Sequence, residues 1–101
     1  MNIDLHFDQV RHSPWLDQFL EKRLERLEKF LRPDDLVKLN LKSQKDYFET
    51  HLSIHHVSKT FDFSATGESL FESFFKVIDQ ALRVLNENNK KRIQKRELRG
   101  D

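Results

Sequence analysis

Apolar residues recur in this chain with two different periods, and the order in which those periods alternate limits the folds open to it. Between Asn2 and Phe7 the period is two, with Ile3, Leu5 and Phe7 on one side and Asp4 and His6 on the other, the pattern of a half-buried strand. From Leu16 the period lengthens: Leu16, Phe19, Leu20, Leu24, Leu27, Phe30 and Leu31 share one face of an amphipathic helix. Ser13-Pro14 starts that helix, because a serine oxygen accepts an orphan N–H and proline at the first position has no N–H to leave unpaired. Pro33 stops it, so the helix is expected to run to about Leu31. The period then returns to two. Val37, Leu39 and Leu41 alternate with Lys38, Asn40 and Lys42; Ser43 to Asp46 turns the chain; Phe48, Thr50, Leu52 and Ile54 make a third strand. Phe61, Phe63 and Ala65 make a fourth, joined to the third through His56 to Lys59 as a hairpin. Ser69 to Glu72 reads as a capping box, and Leu70, Phe71, Phe74, Ile78, Ala81, Leu82 and Leu85 give a second amphipathic helix.

The element order is β-α-β-β-β-α. An antiparallel four-stranded sheet with two helices packed on one face buries every apolar stripe at once and leaves Lys38, Asn40 and Lys42 in water. The expected class is therefore α+β, a two-layer sandwich, and 101 residues fit a single domain over 1–101. Residues 90–101 (KKRIQKRELRGD) are either a solvated continuation of the second helix or a frayed basic tail. Of the aromatic residues, Phe19, Phe30, Phe61, Phe63, Phe71 and Phe74 fall on core faces. Phe75 lies beside the second stripe, where it widens the core face or marks a contact patch, and Trp15 lies off the first.

Several chemistries have no residues to carry them. The chain has no Cys and only two Gly, which excludes disulfides, thiolate metal sites, cysteine nucleophiles and glycine-rich phosphate loops. No apolar run approaches a membrane span, and MNIDLHFD has neither a basic n-region nor an apolar h-region; the chain is expected to be soluble and cytoplasmic, with no membrane partner. His51, His55 and His56 invite a metal reading. In a strand, however, His51 and His55 stand about 13 Å apart and His56 points to the opposite face, so they are expected to be solvated strand histidines and not ligands. No nucleophile or spaced carboxylate pair accompanies a histidine. The expectation is a protein without catalytic residues, metal, cofactor or small-molecule substrate.

Charge is where the sequence speaks about partners. The 18 Lys+Arg and 17 Asp+Glu nearly cancel, yet residues 90–101 hold six bases against two acids. On the first helix Arg23, Arg26 and Lys29 recur every three residues, and Lys22 and Arg26 share a stripe at i,i+4. Glu21, Glu25 and Glu28 are interleaved with them, so the first helix alone is also readable as a salt-laced solvated face. Arg83, Lys90, Lys91, Arg92, Lys95 and Arg96 extend the positive set along the second helix, a distribution suited to neutralising phosphates.

With these residues in view, the chain resembles the ribosome hibernation-promoting factor family, also called ribosome-associated inhibitors or sigma-54 modulation proteins. The likeness is carried by LDQFLEKRLERLEKFL in the first helix, FSATGESLF at the strand-to-helix junction and IDQALRVL in the second helix. The resemblance implies a fold similar to double-stranded RNA-binding domains. It implies a non-enzymatic factor that binds the small ribosomal subunit in the mRNA and tRNA channel, contacts 16S rRNA through basic helix surfaces and inhibits translation by occupancy. Arg23, Arg26 and Lys29 match basic positions of the family's first helix, Lys42 and Lys45 match basic positions around its second strand, and Arg83 matches an Arg of its second helix. Gln80, Ala81, Val84, Glu87 and Asn89 depart from the family's more basic second-helix pattern, and Phe75 stands where an Asp is common. Ending at Asp101, the chain resembles the short form, which lacks a C-terminal dimerisation domain. The alternative is a protein-interaction or homodimerisation module of the same fold, self-associating through Phe75, Trp15 or a sheet edge.

Overall fold

The alternation of periods is carried through in the backbone: β1 (Asn2–Asp8), α1 (Pro14–Leu24), β2 (Leu36–Ser43), β3 (Phe48–His56), β4 (Lys59–Gly67) and α2 (Leu70–Leu98), with a 3-10 segment, Glu25–Phe30, continuing α1. These elements belong to a computed structural model that describes the backbone of residues 1–98 and the side chains of residues 1–90. The strands form one four-stranded sheet in the order β1-β2-β3-β4. Two antiparallel pairings, β2 with β3 and β3 with β4, set Leu39 opposite Leu52 and Leu52 opposite Phe63. The first pairing corrects the expected all-antiparallel sheet: β1 runs parallel to β2, with Leu5 opposite Leu39. A helix between two adjacent strands makes the reason plain, since the crossover returns the chain to the end from which it started.

Leu16, Leu20, Leu24 and Leu27 from the first helical stretch meet Val37, Leu39 and Leu41 of β2, Leu52 and Ile54 of β3, and Phe74, Val77, Ile78, Ala81 and Leu85 of α2 in one buried cluster. Val77, which the spacing did not single out, is fully buried, whereas Phe71, expected in the core, is exposed at the surface. The α-helical geometry of α1 also ends earlier than expected, at Leu24. Leu24, Leu27 and Phe30 are spaced by three, and a 3-10 turn aligns residues i and i+3 on one edge; tightening the helix keeps Leu27 buried and Phe30 against the core.

The junction between β4 and α2 is held by its own side chains. Glu72 N–H donates to Ser69 Oγ at 3.1 Å, and Glu72 Oε2 reaches back to accept from the Glu68 amide at 3.0 Å. The Glu68 amide, and after it Lys76, hold the Glu72 carboxyl below its usual range. Beneath the junction, Ser73 Oγ donates to the Leu70 carbonyl. A hydroxyl has one proton, so the buried Thr50 hydroxyl must be the donor in its 2.8 Å contact with Ser73. The expected hairpin is present with a shorter turn: His56 pairs with Lys59, leaving Val57 and Ser58 as the loop.

His56 corrects the expectation of three solvated histidines. It is buried at the end of β3, and its Nδ1 hydrogen-bonds Asp35 Oδ2. An ionised carboxylate only accepts, so Nδ1 carries the proton. Asp35 Oδ2 also accepts from the Arg32 amide at 2.7 Å, and the Asp35 carbonyl accepts from the Asn2 amide at 2.8 Å. One buried residue thereby ties the chain before β2 to the start of β1 and the end of β3.

Candidate nucleic-acid interface

The cations of the first helical stretch are placed by its cap and its buried stripe. Ser13 Oγ accepts from Leu16 N–H at 3.3 Å, with Pro14 in the first turn. With Leu16, Leu20, Leu24 and Leu27 facing the sheet, the adjoining edge carries Trp15, Phe19, Lys22, Arg23 and Arg26 at helical spacing. The switch to 3-10 geometry after Leu24 sets Arg26 and Lys29 one above the other. Lys22, Arg26 and Lys29 are exposed and Arg23 is half-buried.

No carboxylate stands within 4.0 Å of Lys22, Arg23, Arg26 or Lys29 among the described residues. Glu21, Glu25 and Glu28, interleaved with them in sequence, make no ion pair with them within that distance. Aromatic rings take the place of acids. The Arg23 guanidinium lies 5.4 Å from the Phe19 ring centroid and 5.3 Å from that of Phe75, and Lys29 Nζ lies 5.1 Å from that of Phe30, distances suited to cation–π attraction. A shallow groove of about 630 Å³, lined by Glu25, Arg26, Glu28, Lys29 and Leu82, brings the 3-10 segment against α2. Arg83, the next residue, and Lys90 are exposed on α2.

The other basic residues singled out from the sequence divide. Lys42 is exposed on the sheet face away from the helices, 4.0 Å from Asp8, and so does not share the surface of Lys22, Arg26 and Lys29; Lys45 is exposed in the β2–β3 turn. The side chains of Lys91, Arg92, Lys95 and Arg96 lie outside the described residues. Two cations escaped the sequence reading. Arg32 and Lys59 line one cavity of about 280 Å³ with His56, Val57, Ser58 and Asn88, and Lys59 Nζ donates to Asn88 Oδ1 at 3.4 Å. Lys59 opens β4 and lies 29 residues from Asn88; no local pattern could have joined them.

The remaining four histidines pair with neighbours on the surface, His6 with Asp4 at 3.0 Å, His12 with Asp17 at 3.0 Å, His51 with Glu49 at 2.6 Å, and His55 with the Thr60 hydroxyl at 3.2 Å. Among the described residues no three His, Cys, Asp or Glu side chains converge as metal ligands, and no helix is long and apolar enough to cross a membrane.

The fold has known counterparts. The N-terminal domain of Thermus thermophilus Protein Y superposes with a TM-score of 0.78 at 15% identity, over 86% of this chain and 98% of that one. A ribosomal subunit interface protein from Coxiella burnetii superposes with a TM-score of 0.75 at 16% identity, over 89% of this chain and 99% of that one. At such identities the likeness is one of fold. A search of curated proteins gives no match. A family model described as sigma 54 modulation protein / S30EA ribosomal protein matches residues 3–96, which takes in all of β1 but Asn2, the other three strands, α1 and nearly all of α2. The resemblance drawn from the helix and junction motifs is thus borne out over almost the whole sequence, and the chain belongs to the sigma 54 modulation protein / S30EA ribosomal protein family.

Proposed function

We propose that the chain is a ribosome hibernation factor that binds the small ribosomal subunit at the mRNA and tRNA channel, contacts 16S rRNA and inhibits translation by occupancy. The observation that carries the RNA contact is the row formed by Lys22, Arg23, Arg26 and Lys29, none of which has a carboxylate oxygen within 4.0 Å among the described residues. Membership of a family whose description includes a ribosomal protein supports the ribosome as the partner. Folded RNA presents phosphates on an A-form surface that proteins bind by shape and charge, and a row of cations on one helical stretch suits that surface without reading bases. Arg83 and Lys90 on α2 extend the contact, with Arg32 and Lys59 at its far end. Lys42 reaches RNA only if it passes round to the other face of the sheet. The proposed action is steric, so no side chain is assigned a catalytic role and no cofactor is required.

Sedimentation with purified ribosomes tests this reading. The wild-type protein is expected to co-migrate with the small subunit at low salt and to depress translation in a purified system. Lys22→Glu/Arg26→Glu is expected to lose both properties while keeping its thermal unfolding transition. Failure of the wild-type protein to co-migrate at low salt would overturn the proposal.

A further inference from the structure

At the N-terminal end of the same row the surface changes character. Trp15 is 64% exposed and stacks on Phe19 with ring centroids 5.5 Å apart and planes 20° from parallel. Phe19 in turn meets Phe71 and Phe75 of α2 edge-on, at 5.4 and 6.2 Å. Those contacts fix Phe19, and Phe19 fixes the plane of Trp15, whose stacking partner among the described residues is Phe19 alone. Arg23 is held between Phe19 and Phe75.

Two shallow depressions flank this cluster. One, of about 370 Å³, is lined by Phe19, Lys22, Arg23 and Arg26; the other, of about 210 Å³, by Trp15, Gln18, Phe19 and Lys22. They share Phe19 and Lys22, and among the described residues no carboxylate lines either. The neighbouring groove along the 3-10 segment, by contrast, sets Glu25 and Glu28 beside Arg26 and Lys29. A flat, oriented ring at one end of an acid-free cationic trough complements a ligand that is planar at one point and anionic beside it.

We propose that Trp15, Phe19, Lys22, Arg23 and Arg26 form a stacking site for an unpaired RNA nucleotide, with Trp15 taking the base and Lys22 and Arg26 the adjoining phosphates. The inference rests on the reading of this face as an RNA contact and names the feature of RNA that it selects. Trp15 and Lys22 are seven residues apart on α1, about 10 Å along the axis, so base and phosphate contacts fall on one helical stripe. Base stacking on an aromatic ring is tolerant of sequence and adds to a phosphate track. Charge argues against a second copy of this chain as the occupant. A symmetric contact through the patch would bring Lys22, Arg23 and Arg26 of both copies together without a carboxylate between them.

Trp15 is the only tryptophan, so its emission reports on the site directly. The probes are a single-stranded oligoadenylate, an RNA duplex of equal length, and purified ribosomes, all at low salt. Saturable quenching by oligoadenylate, with little quenching by the duplex, is expected. Trp15→Ala is expected to weaken oligoadenylate binding about tenfold, measured by anisotropy of a labelled strand, and to leave duplex binding unchanged; Trp15→Phe should retain most of the affinity. Because Trp15 is exposed, an unchanged thermal transition in both variants is expected. Equal oligoadenylate affinity for wild type and Trp15→Ala, or binding without quenching, overturns the stacking site. So does loss of self-association in Trp15→Ala with RNA binding intact, which would make the patch a protein contact. Ribosome co-sedimentation with unquenched Trp15 overturns the stacking site alone, whereas loss of both ribosome and oligonucleotide binding by the wild-type protein overturns it together with the ribosomal reading.

Discussion

Asp35 Oδ2 accepts from both the Arg32 amide and the ring of buried His56. Burial by itself raises its pKa, but the Arg32 amide first, then the His56 side chain and the Val57 amide, together hold the carboxyl below its usual value. The sign of the pH dependence follows. A folded-state pKa below the ordinary 3.8 means the ionised carboxylate stabilises the fold fully above that value, and the contribution is lost as pH falls through the lowered one. Urea midpoints measured from neutral pH downward should therefore decline below about pH 4 in the wild type and less steeply in Asp35→Asn. At neutral pH that variant should be less stable by about 1–3 kcal/mol, the cost of disturbing a buried hydrogen-bonding group. A variant whose midpoints match the wild type at every pH would deny Asp35 this role. The hairpin beside it carries local strain. Val57 has φ 57, a conformation unfavourable for a β-branched residue but the one that the first position of a two-residue hairpin loop requires. None of this was visible from periodicity, because Asp35 and His56 are 21 residues apart and a histidine near a strand end reads as solvated until the fold closes over it.

At the scale of elements, the sequence was most informative where a local rule had a local cause. The Ser13-Pro14 start and the Ser69–Glu72 box appear in the structure because caps satisfy amides within one turn. The end of α1 was less legible, since a stripe spaced by three serves an α-helix and a 3-10 segment alike. Gly67 marks where elements meet. A Cβ there would lie 2.7 Å from the Ser73 amide nitrogen and 2.9 Å from Glu72 Cβ, and a backbone nitrogen capped into α2 has little room to withdraw. Gly67→Ala is expected to cost about 1–3 kcal/mol by forcing β4 away from α2, read as a lowered urea midpoint. An unchanged midpoint would show that the junction opens freely. The helix backbone that excludes a side chain at this glycine became apparent only with α2 docked.

For the whole molecule, a net charge of +1 says little about affinity for RNA, because a partner meets one face at a time. If Lys22, Arg23, Arg26, Lys29 and Arg83 each neutralise a phosphate, raising salt from 50 to 200 mM should weaken ribosome binding by roughly 10²- to 10³-fold. Lys22→Gln should lower the logarithmic slope by about one. A slope near zero would show that the cation row does not meet RNA. The sequence by itself determined the element order, the apolar face of each element, the helix starts and the set of available cations, because each depends on neighbours within about one turn or one strand. Only the tertiary structure decided that β1 runs parallel to β2, that His56 is buried on Asp35, and that Lys42 stands apart from Lys22, Arg26 and Lys29. It also decided that Arg23 rests between Phe19 and Phe75 while, among the described residues, no carboxylate stands within 4.0 Å of the row beside it. Those facts depend on which faces meet across the core, and residues far apart in the chain acquire neighbours only when the helices have packed on the sheet.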